Sequence, residues 1–248
     1  MKLYAVYSEE NAALKDIFVK GLKDPWGIEL VYWGRAGEGE QDLDFGTQGF
    51  GRLMRRKIDF TVEMIKKEQG NMVIWSDLDI QFFGPCTTAI EKAIAAKDIV
   101  FLAEHWPQKE VNVGFIVLHC NAKTLAFYEA VSAMNFEAMP YYDQSAVNQL
   151  LRESSVDLSW DILPYQFWSK SVGGTPPRDI LLHHANTTFP AIKEGRRVSS
   201  LELKLEQMAR IREFVQTYPS WKWLLWGKWR YWAKGMVYQG FQRRSYFE

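Results

Sequence analysis

Short apolar segments of strand-like composition alternate with longer segments of helical periodicity along most of this chain. Strands and helices in this order predict an α/β fold whose first half is parallel and whose second half is mixed. The chain has 248 residues, enough for one large domain with a sizeable core. We therefore predict an α/β domain over residues 1–199 and a helical, aromatic and basic appendage over residues 200–248.

The bounds of the elements follow from the apolar pattern and from residues that cap or end helices. Ser8 is the predicted N-cap of the first helix, and Gly70 is predicted to end the helix before the third strand. Strands are expected at residues 3–7, 28–33, 72–75, 99–102, 111–118 and 180–184. Helices are expected at residues 8–22, 50–67, 89–96, 122–134, 143–151 and 200–217.

The composition argues against several classes of protein. The 30 basic and 30 acidic residues cancel, so the chain has no global nucleic-acid signature. Cys86 and Cys120 are too few and too far apart for a disulfide framework or a zinc site, and we predict buried, reduced thiols. The start reads as a strand rather than a signal peptide, and no apolar run reaches about 18 residues. We expect a cytoplasmic protein, either soluble or peripherally associated with a membrane.

Asp77-Leu78-Asp79 is the motif that points most directly to a function. It lies between the apolar runs 72–75 and 80–83, where a buried strand leaves a sheet. Open α/β sheets bind ligands at the carboxyl ends of strands, and two carboxylates there can hold a divalent cation against a diphosphate. Asp79 is the predicted direct metal ligand, and Asp77 is predicted for the metal shell or for ribose hydroxyls.

The tripeptide by itself is weak evidence, because Asp-x-Asp recurs by chance in a chain of this length. A second copy occupies residues 42–44, after a polar loop with no strand before it, and we expect Asp42 and Asp44 to be solvated. For the copy at residues 77–79, the alternative is a turn in which one aspartate caps the next element.

A third metal ligand is expected from segment 181–186, where another apolar strand ends in a polar cluster. Successive side chains of a strand point to opposite faces, so only one of His183 and His184 can face the cleft. We choose His184, although a histidine after a strand can also be structural. Lys193, further along the chain, could reach the leaving diphosphate.

Two further segments are candidates for sugar contacts. Asn112 opens a strand and could read sugar hydroxyls, while Gly114 would let the backbone approach a ligand closely or is an ordinary strand glycine. Asp143 and Gln144 begin a helix after residues 140–142. Asp143 could cap that helix, contact the sugar or serve as a general base.

Taken together, these segments resemble the nucleotide-diphospho-sugar transferases of glycosyltransferase type A fold. The resemblance spans about residues 3–195 and implies a single Rossmann-like α/β domain with a mixed central sheet, followed by the helical Trp-rich tail. It rests, in chain order, on Lys57, on residues 75–79, 112–115 and 143–148, and on residues 184–186 with Lys193 downstream.

The resemblance implies a Mn²⁺ or Mg²⁺ cofactor, a nucleotide-diphosphate sugar as donor and a glycan or lipid-linked molecule as acceptor. The chain departs from the family pattern at Thr187 and Thr188, where members often carry an aromatic residue, and in having two adjacent histidines. The implied contacts are the metal at Asp79 and His184 with Asp77 assisting, the nucleotide at Tyr7, Ser8 and Lys57, and the donor sugar at Asn112, Asp143 and Gln144.

The stereochemical course decides whether an enzymic base is needed. If the reaction retains the anomeric configuration, the leaving phosphate can take the acceptor proton while the protein supplies positioning and charge stabilisation. If it inverts, a carboxylate must lie under the acceptor hydroxyl, and Asp143 and Glu104 are the candidates. The resemblance favours retention.

Residues 221–232 interleave tryptophans with lysine and arginine. This pattern suits an anionic membrane interface, which would help an enzyme that acts on a lipid-linked acceptor. The alternatives are a C-terminal helix that packs its tryptophans on the core, an oligomer contact or an acceptor-binding surface.

Two other functions fit parts of the pattern. A metal-dependent phosphohydrolase or nucleotidyltransferase would use Asp77 and Asp79 but usually needs further acidic ligands nearby. A carbohydrate- or membrane-binding module would have structural aspartates and would show no metal-dependent nucleotide binding. We predict a metal-dependent glycosyltransferase that builds a surface polysaccharide or related glycan.

Overall fold

A computed structural model describes residues 1–34, 47–104, 110–169, 176–186, 190–193 and 195–217. The strands are β1 (Lys2–Tyr7), β2 (Gly27–Tyr32), β3 (Met72–Ser76), β4 (Ile80–Phe82), β5 (Ile99–Ala103), β6 (Val111–His119), β7 (Trp160–Ile162), β8 (Phe167–Ser169), β9 (Leu182–His184), β10 (Ala191–Lys193) and β11 (Arg196–Val198). The helices are α1 (Ala12–Gly21), α2 (Gln48–Lys67), α3 (Thr87–Ile94), α4 (Ala122–Ala133), α5 (Tyr142–Glu153) and α6 (Ser200–Thr217), with a short 3-10 helix at Phe136–Ala138.

Six strands form the central sheet in the order β2-β1-β3-β6-β5-β7. The pairs β1–β2 and β1–β3 are parallel, β3–β6 and β5–β6 are antiparallel, and β5–β7 is parallel. This order confirms the predicted parallel first half and mixed second half. A three-stranded sheet, β4-β9-β8, and a two-stranded sheet, β10-β11, lie beside it.

Helices cover both faces of the central sheet because its middle strands are apolar on both sides. In β3, Ile74 belongs to one buried cluster, which also holds side chains of α1, α3 and α6. Its neighbours Val73 and Trp75 belong to the other cluster, with side chains of α2, α4 and α5. Alternation along one strand therefore builds two cores, one on each face.

One prediction about a helix end is wrong, and one of the three alternatives for Asp143 is excluded. Ser8 does not cap α1, which begins later with Asn11 in the N-cap position; the Ser8 N–H instead donates to Asn11 Oδ1 at 2.8 Å. Asp143 does not cap α5, because Tyr141 occupies that position and Asp143 lies in the first turn. The other predicted strands and helices are present close to their predicted bounds.

Several predictions concern residues outside the described ranges. They are the solvated second DLD at residues 42–44, the departure at Thr187 and Thr188, and the aromatic and basic segment 221–232. The two cysteines are free and buried, as predicted. Among the helices that the structure describes, none is long and apolar enough to cross a membrane.

The division predicted at residue 199 stays a prediction, but α6 packs closely on the rest of the described chain. Met208 lies in the core cluster of α1 and α3, and its carbonyl accepts a hydrogen bond from Gln81 Nε2 at 3.1 Å. Helix α6 therefore packs against the core of the domain and is not a loose extension of it.

Candidate active site

The two aspartates lie in the short link between β3 and β4, which belong to different sheets. The Asp77 N–H donates to the carbonyl of Gly114 at 2.7 Å, which ties the start of this link to β6. Asp79 is buried, whereas the side chain of Asp77 is 33% exposed. One carboxylate is thus enclosed by protein and the other faces the cleft.

Strand pairing brings His184 to Asp79. β4 and β9 are antiparallel, with Ile80 opposite His184, and the Ala185 N–H donates to the Asp79 carbonyl at 2.9 Å. His184 Nε2 lies 3.2 Å from Asp79 Oδ1. Ligand atoms of Asp77, Asp79 and His184 all lie within 4.8 Å of one another, a spacing that could hold one metal ion.

The hydrogen bonds of Asn112 set the orientation of the His184 ring. Asn112 Nδ2 donates to Glu104 Oε2 at 2.7 Å, and Asn112 Oδ1 accepts from the Gly114 N–H at 3.0 Å. These two bonds assign the amide oxygen to the side that faces His184 Nδ1, 2.9 Å away. Nδ1 therefore carries a proton that it donates to Asn112, and Nε2 faces Asp79.

This arrangement tests whether the residues fit a cation. Asp79 Oδ1 is buried without a hydrogen-bond partner, and His184 Nε2 lies 3.2 Å from it. A buried carboxylate oxygen without a hydrogen bond is costly unless a positive charge lies against it. Two carboxylates and one imidazole form a suitable ligand set for a divalent metal ion. The residues therefore fit the predicted metal.

Lys57, from α2, binds the other two carboxylates of the site. Its Nζ lies 3.1 Å from Asp77 Oδ1 and 3.3 Å from Asp143 Oδ2, and it also donates to the Val113 carbonyl at 3.4 Å. Burial alone would lower the pKa of Lys57, but Asp143 and Asp77 raise that pKa above its usual value. Lys57 therefore stays charged.

Asp143 is also buried at this point of the cleft. Burial raises the pKa of Asp143, Asp77 adds to the rise, and the positive charge of Lys57 opposes it. The residue before it, Tyr142, has φ of 47°, in the left-handed region that aromatic residues rarely adopt. The Tyr142 hydroxyl donates to the Thr47 carbonyl at 3.3 Å and its ring packs on Phe50, so packing holds this strained turn beside the carboxylate.

Glu104 gathers three amide side chains at the end of β5. Its carboxylate accepts hydrogen bonds from Asn112 at 2.7 Å, from Gln144 at 3.3 Å and from Asn186 at 3.3 Å. Asn186 Oδ1 is buried without a hydrogen-bond partner. The contacts of Glu104 favour an organising role over the alternative role of a base.

A cleft with a volume of about 480 Å³ collects most of the predicted site residues. Lys193 is not among its lining residues; the ammonium of Lys193 lies 2.5 Å from Glu206 on α6. The predicted residues that line the cleft are Tyr7, Ser8, Lys57, Asp77, Asp79, Asn112, Asp143, Gln144 and His184.

His183 lies on the opposite face of β9 from His184. Its ring is buried beside Trp168, with ring centroids 5.3 Å apart, and Nδ1 lies 3.4 Å from Gln81 Oε1. The alternation expected along the strand thus separates a structural histidine from one that faces the cleft.

Lys204, on α6, is a cleft residue that the sequence reasoning missed. Its ammonium contacts Asp79 Oδ2. Although burial opposes it, the charge of Lys204 holds the pKa of Asp79 well below its usual range. The available signal was a lysine at helical spacing from the apolar residues Leu201, Met208 and Ile211.

A family model for nucleotide-diphospho-sugar transferases matches residues 27–180, more than half of the chain. No curated protein matches this chain. The match confirms the resemblance and the transferase class that the sequence motifs predicted.

The structure is similar to several solved glycosyltransferases. GlyE of Streptococcus pneumoniae TIGR4 has a TM-score of 0.53 and 13% identity, with 89% of this chain and 66% of that chain covered. A glycosyltransferase involved in the glycosylation of the major capsid of PBCV-1 has a TM-score of 0.55 and 12% identity, with 84% and 98% covered. The galactosyltransferase LgtC, in complex with donor and acceptor sugar analogs, has a TM-score of 0.50 and 13% identity, with 92% and 100% covered.

At these identities the likeness shows the fold, and it confirms the predicted glycosyltransferase type A architecture with a mixed central sheet. The chain spans just under two thirds of the length of GlyE, at 66%, and nearly all of the PBCV-1 enzyme, at 98%.

Proposed function

This chain belongs to the nucleotide-diphospho-sugar transferase family, and on that premise we propose that it is a metal-dependent glycosyltransferase. The donor is a nucleotide-diphosphate sugar, and the acceptor is a glycan or a glycolipid. The observation that carries the proposal is the close set of ligand atoms from Asp77, Asp79 and His184, all within 4.8 Å of one another, with Asp79 Oδ1 buried and without a hydrogen-bond partner. A protein that bound only sugars or membranes would not need such a set of ligand atoms.

Asp77, Asp79 and His184 would hold the metal, which is Mn²⁺ or Mg²⁺. When bound, such an ion supplies positive charge that stabilises the diphosphate as it leaves. Tyr7 and Ser8, which line the cleft at the end of β1, would contact the nucleotide.

Lys57 and Asp143 form the part of the site assigned to the donor sugar and its phosphates. Lys57 holds the carboxylates of Asp77 and Asp143 in place, with Nζ–O distances of 3.1 and 3.3 Å. Asp143 and Gln144 would bind the sugar, and Asn112 would orient both this region and His184. Positioning of this kind contributes to catalysis by holding the reacting groups in line.

The reaction is proposed to retain the anomeric configuration, so that the leaving phosphate takes the acceptor proton. The ion pair between Lys57 and Asp143 supports this assignment, because a carboxylate held by a lysine is less able to act as a general base. NMR of the first-formed product distinguishes the two courses. An inverted anomer would instead assign Asp143 as the base.

The test of the function is the thermal stability of the purified protein against UDP-, GDP-, dTDP- and CMP-sugars, with and without Mn²⁺. We expect a rise in Tm with one nucleotide class that requires metal and is absent in Asp79→Asn, since ligand bound only to the folded state stabilises it. Asp157→Asn is the matched control, because that carboxylate is 91% exposed, pairs with Lys123 and does not line the cleft.

Lack of any shift in a folded wild-type protein would favour the carbohydrate- or membrane-binding module. A shift with cleavage of the donor but no transfer to any acceptor would favour a phosphohydrolase. For the lipid-linked acceptor, full-length protein is sedimented with vesicles of phosphatidylcholine alone or with phosphatidylglycerol added. Binding only to the anionic vesicles supports peripheral membrane contact through the tail, and no binding counts against it.

A further inference from the structure

Two lysines, Lys57 and Lys204, contact carboxylates of the cleft, and their surroundings differ. Lys57 is held by two carboxylates and a carbonyl, and its side chain is only 6% exposed. Lys204 is held by Asp79, and its side chain is 24% exposed at the wall of the cleft. Lys57 is therefore fixed in place, whereas Lys204 can turn away from its carboxylate at much smaller cost.

The carboxylate that Lys204 contacts is also the better enclosed of the two candidate metal-binding carboxylates. Asp79 Oδ1 faces His184 Nε2, and Asp79 Oδ2 contacts the ammonium of Lys204. A divalent cation at Asp77, Asp79 and His184 would place a second positive charge on the same carboxylate. Two cations on one buried carboxylate repel each other strongly, because the local dielectric screening is weak.

A diphosphate would relieve this repulsion. Lys204 and the metal-binding residues line the same cleft, so an anion bound there lies within reach of a long, partly exposed lysine. Ammonium groups bind phosphate oxygens well as point charges. The ammonium would then leave Asp79 to the metal and neutralise the nucleotide diphosphate instead.

We propose that Lys204 competes with the divalent cation for Asp79 and that the donor diphosphate ends this competition. This inference rests on the proposed function of the cleft. Its consequence is a positive coupling: the metal binds weakly to the free protein and tightly in the presence of nucleoside diphosphate. By reciprocity, the nucleotide gains the same factor in affinity from the metal.

The experiment is a calorimetric titration of the full chain with Mn²⁺ alone, comparing wild type with Lys204→Met, which keeps most of the length of the side chain but removes its charge. We expect Lys204→Met to bind Mn²⁺ about tenfold more tightly than wild type, because the competing cation is gone. Lys204→Arg keeps the charge and should bind as weakly as wild type. Lys123→Met removes an exposed lysine on α4 and should leave the affinity unchanged.

A second titration with Mn²⁺ in the presence of UDP, and then of GDP, measures the coupling. In wild type, the nucleotide that binds should raise the Mn²⁺ affinity by about tenfold or more over the affinity measured without nucleotide. In Lys204→Met the same nucleotide should raise it by only a few-fold. Lys204→Met should also bind that nucleotide more weakly. Both titrations are corrected for Mn²⁺ bound by free nucleotide.

Equal or weaker Mn²⁺ binding by a folded Lys204→Met would overturn the competition and leave the metal site standing. If Lys204→Met does not fold, Lys204→Gln replaces it with the same expected result. Failure of wild type and all variants to bind Mn²⁺, with or without nucleotide, would overturn the metal-dependent function itself.

Discussion

The imidazole of His184 occupies the space that any side chain on Gly114 would need. A Cβ built on Gly114 would lie 2.2 Å from His184 Cε1 and 2.6 Å from its Nδ1. Real Cβ contacts are not this short, so the ring can occupy this place beside β6 only because residue 114 is glycine. Gly114 was expected to let the backbone approach a bound ligand closely or to be an ordinary strand glycine. In the structure it leaves space for the ring of His184, a candidate metal-coordinating residue.

Gly114→Ala should therefore displace the His184 ring and weaken metal binding. We expect Mn²⁺ affinity to fall by about tenfold or more, since loss of ligand orientation has effects of that size. Overpacking should also lower the free energy of unfolding by about 1–3 kcal/mol. Calorimetry with Mn²⁺ and urea denaturation measure the two effects.

Gly27→Ala is the control for that substitution. A Cβ there would come no closer than 3.9 Å, to a flexible lysine side chain, so metal affinity should not change. Wild-type Mn²⁺ affinity in Gly114→Ala would show that the ring does not need its present position.

Asn112→Ala should remove the group that assigns the proton of His184 to Nδ1. With no acceptor at that nitrogen, the ring loses the hydrogen bond that orients it, and metal affinity should fall by about 10–100-fold. Titration with Mn²⁺ measures the loss, with Asn71→Ala as a control whose amide bonds Glu68 at the surface. Equal affinities in the two variants would contradict the orienting role.

Lys57→Met should destabilise the protein because it leaves Asp77 and Asp143 without their partner. Removing one member of a buried ion pair costs about 3–5 kcal/mol, and the partial exposure of Asp77 places the expected loss at the lower end. Urea denaturation at neutral pH, in EDTA, measures it. Lys66→Met, which breaks an exposed ion pair with Glu129, should cost less than about 1 kcal/mol.

The destabilisation in Lys57→Met should depend on pH in a defined direction. Burial already raises the pKa of Asp143, and loss of Lys57 removes the charge that opposes this rise. An acid whose pKa is raised on folding binds its proton more tightly in the folded state, so stability increases as the pH falls. The difference in the free energy of unfolding between wild type and Lys57→Met, measured by urea denaturation, should therefore become smaller as the pH is lowered from about 8 to about 5. A gap that widens over this range would show that Asp143 is not the uncompensated group.

Glu104→Gln distinguishes an organising carboxylate from a catalytic base. The substitution replaces one acceptor oxygen with an amide that cannot accept from the surrounding amides, so we expect about a tenfold loss of kcat/KM. If Glu104 organises the site, the pH dependence of kcat should keep its acidic limb. Disappearance of that limb would identify Glu104 as the base. Glu153→Gln, at the exposed end of α5, serves as the control.

Much of the fold was predictable because apolar period and strand composition are local properties. The apolar run of β3 and the carboxylates that follow it placed Asp77 and Asp79 at the carboxyl end of a central strand. Alternation along β9 favoured one cleft-facing histidine. The strands β4, β7, β8, β10 and β11 were not predicted, because three residues are too few to show a period.

The contact between Lys204 and Asp79 could not be predicted from local sequence. Lys193 follows the histidines closely, which suggested that it would reach the cleft, but it pairs with Glu206. Lys204 reaches Asp79 because α6 packs against the rest of the chain through Met208. That contact depends on tertiary packing between distant segments, which neither spacing nor composition records.

The pairing of β4 with β9 also determines at what stage of chain synthesis the site can form. Asp79 and His184 become neighbours only when a strand made early in synthesis finds one made late, and Lys204 comes later still. A nascent chain that has emerged from the ribosome only as far as β8 has its aspartates but lacks His184 and Lys204. During synthesis the cleft can therefore be completed only after β9 and α6 have emerged.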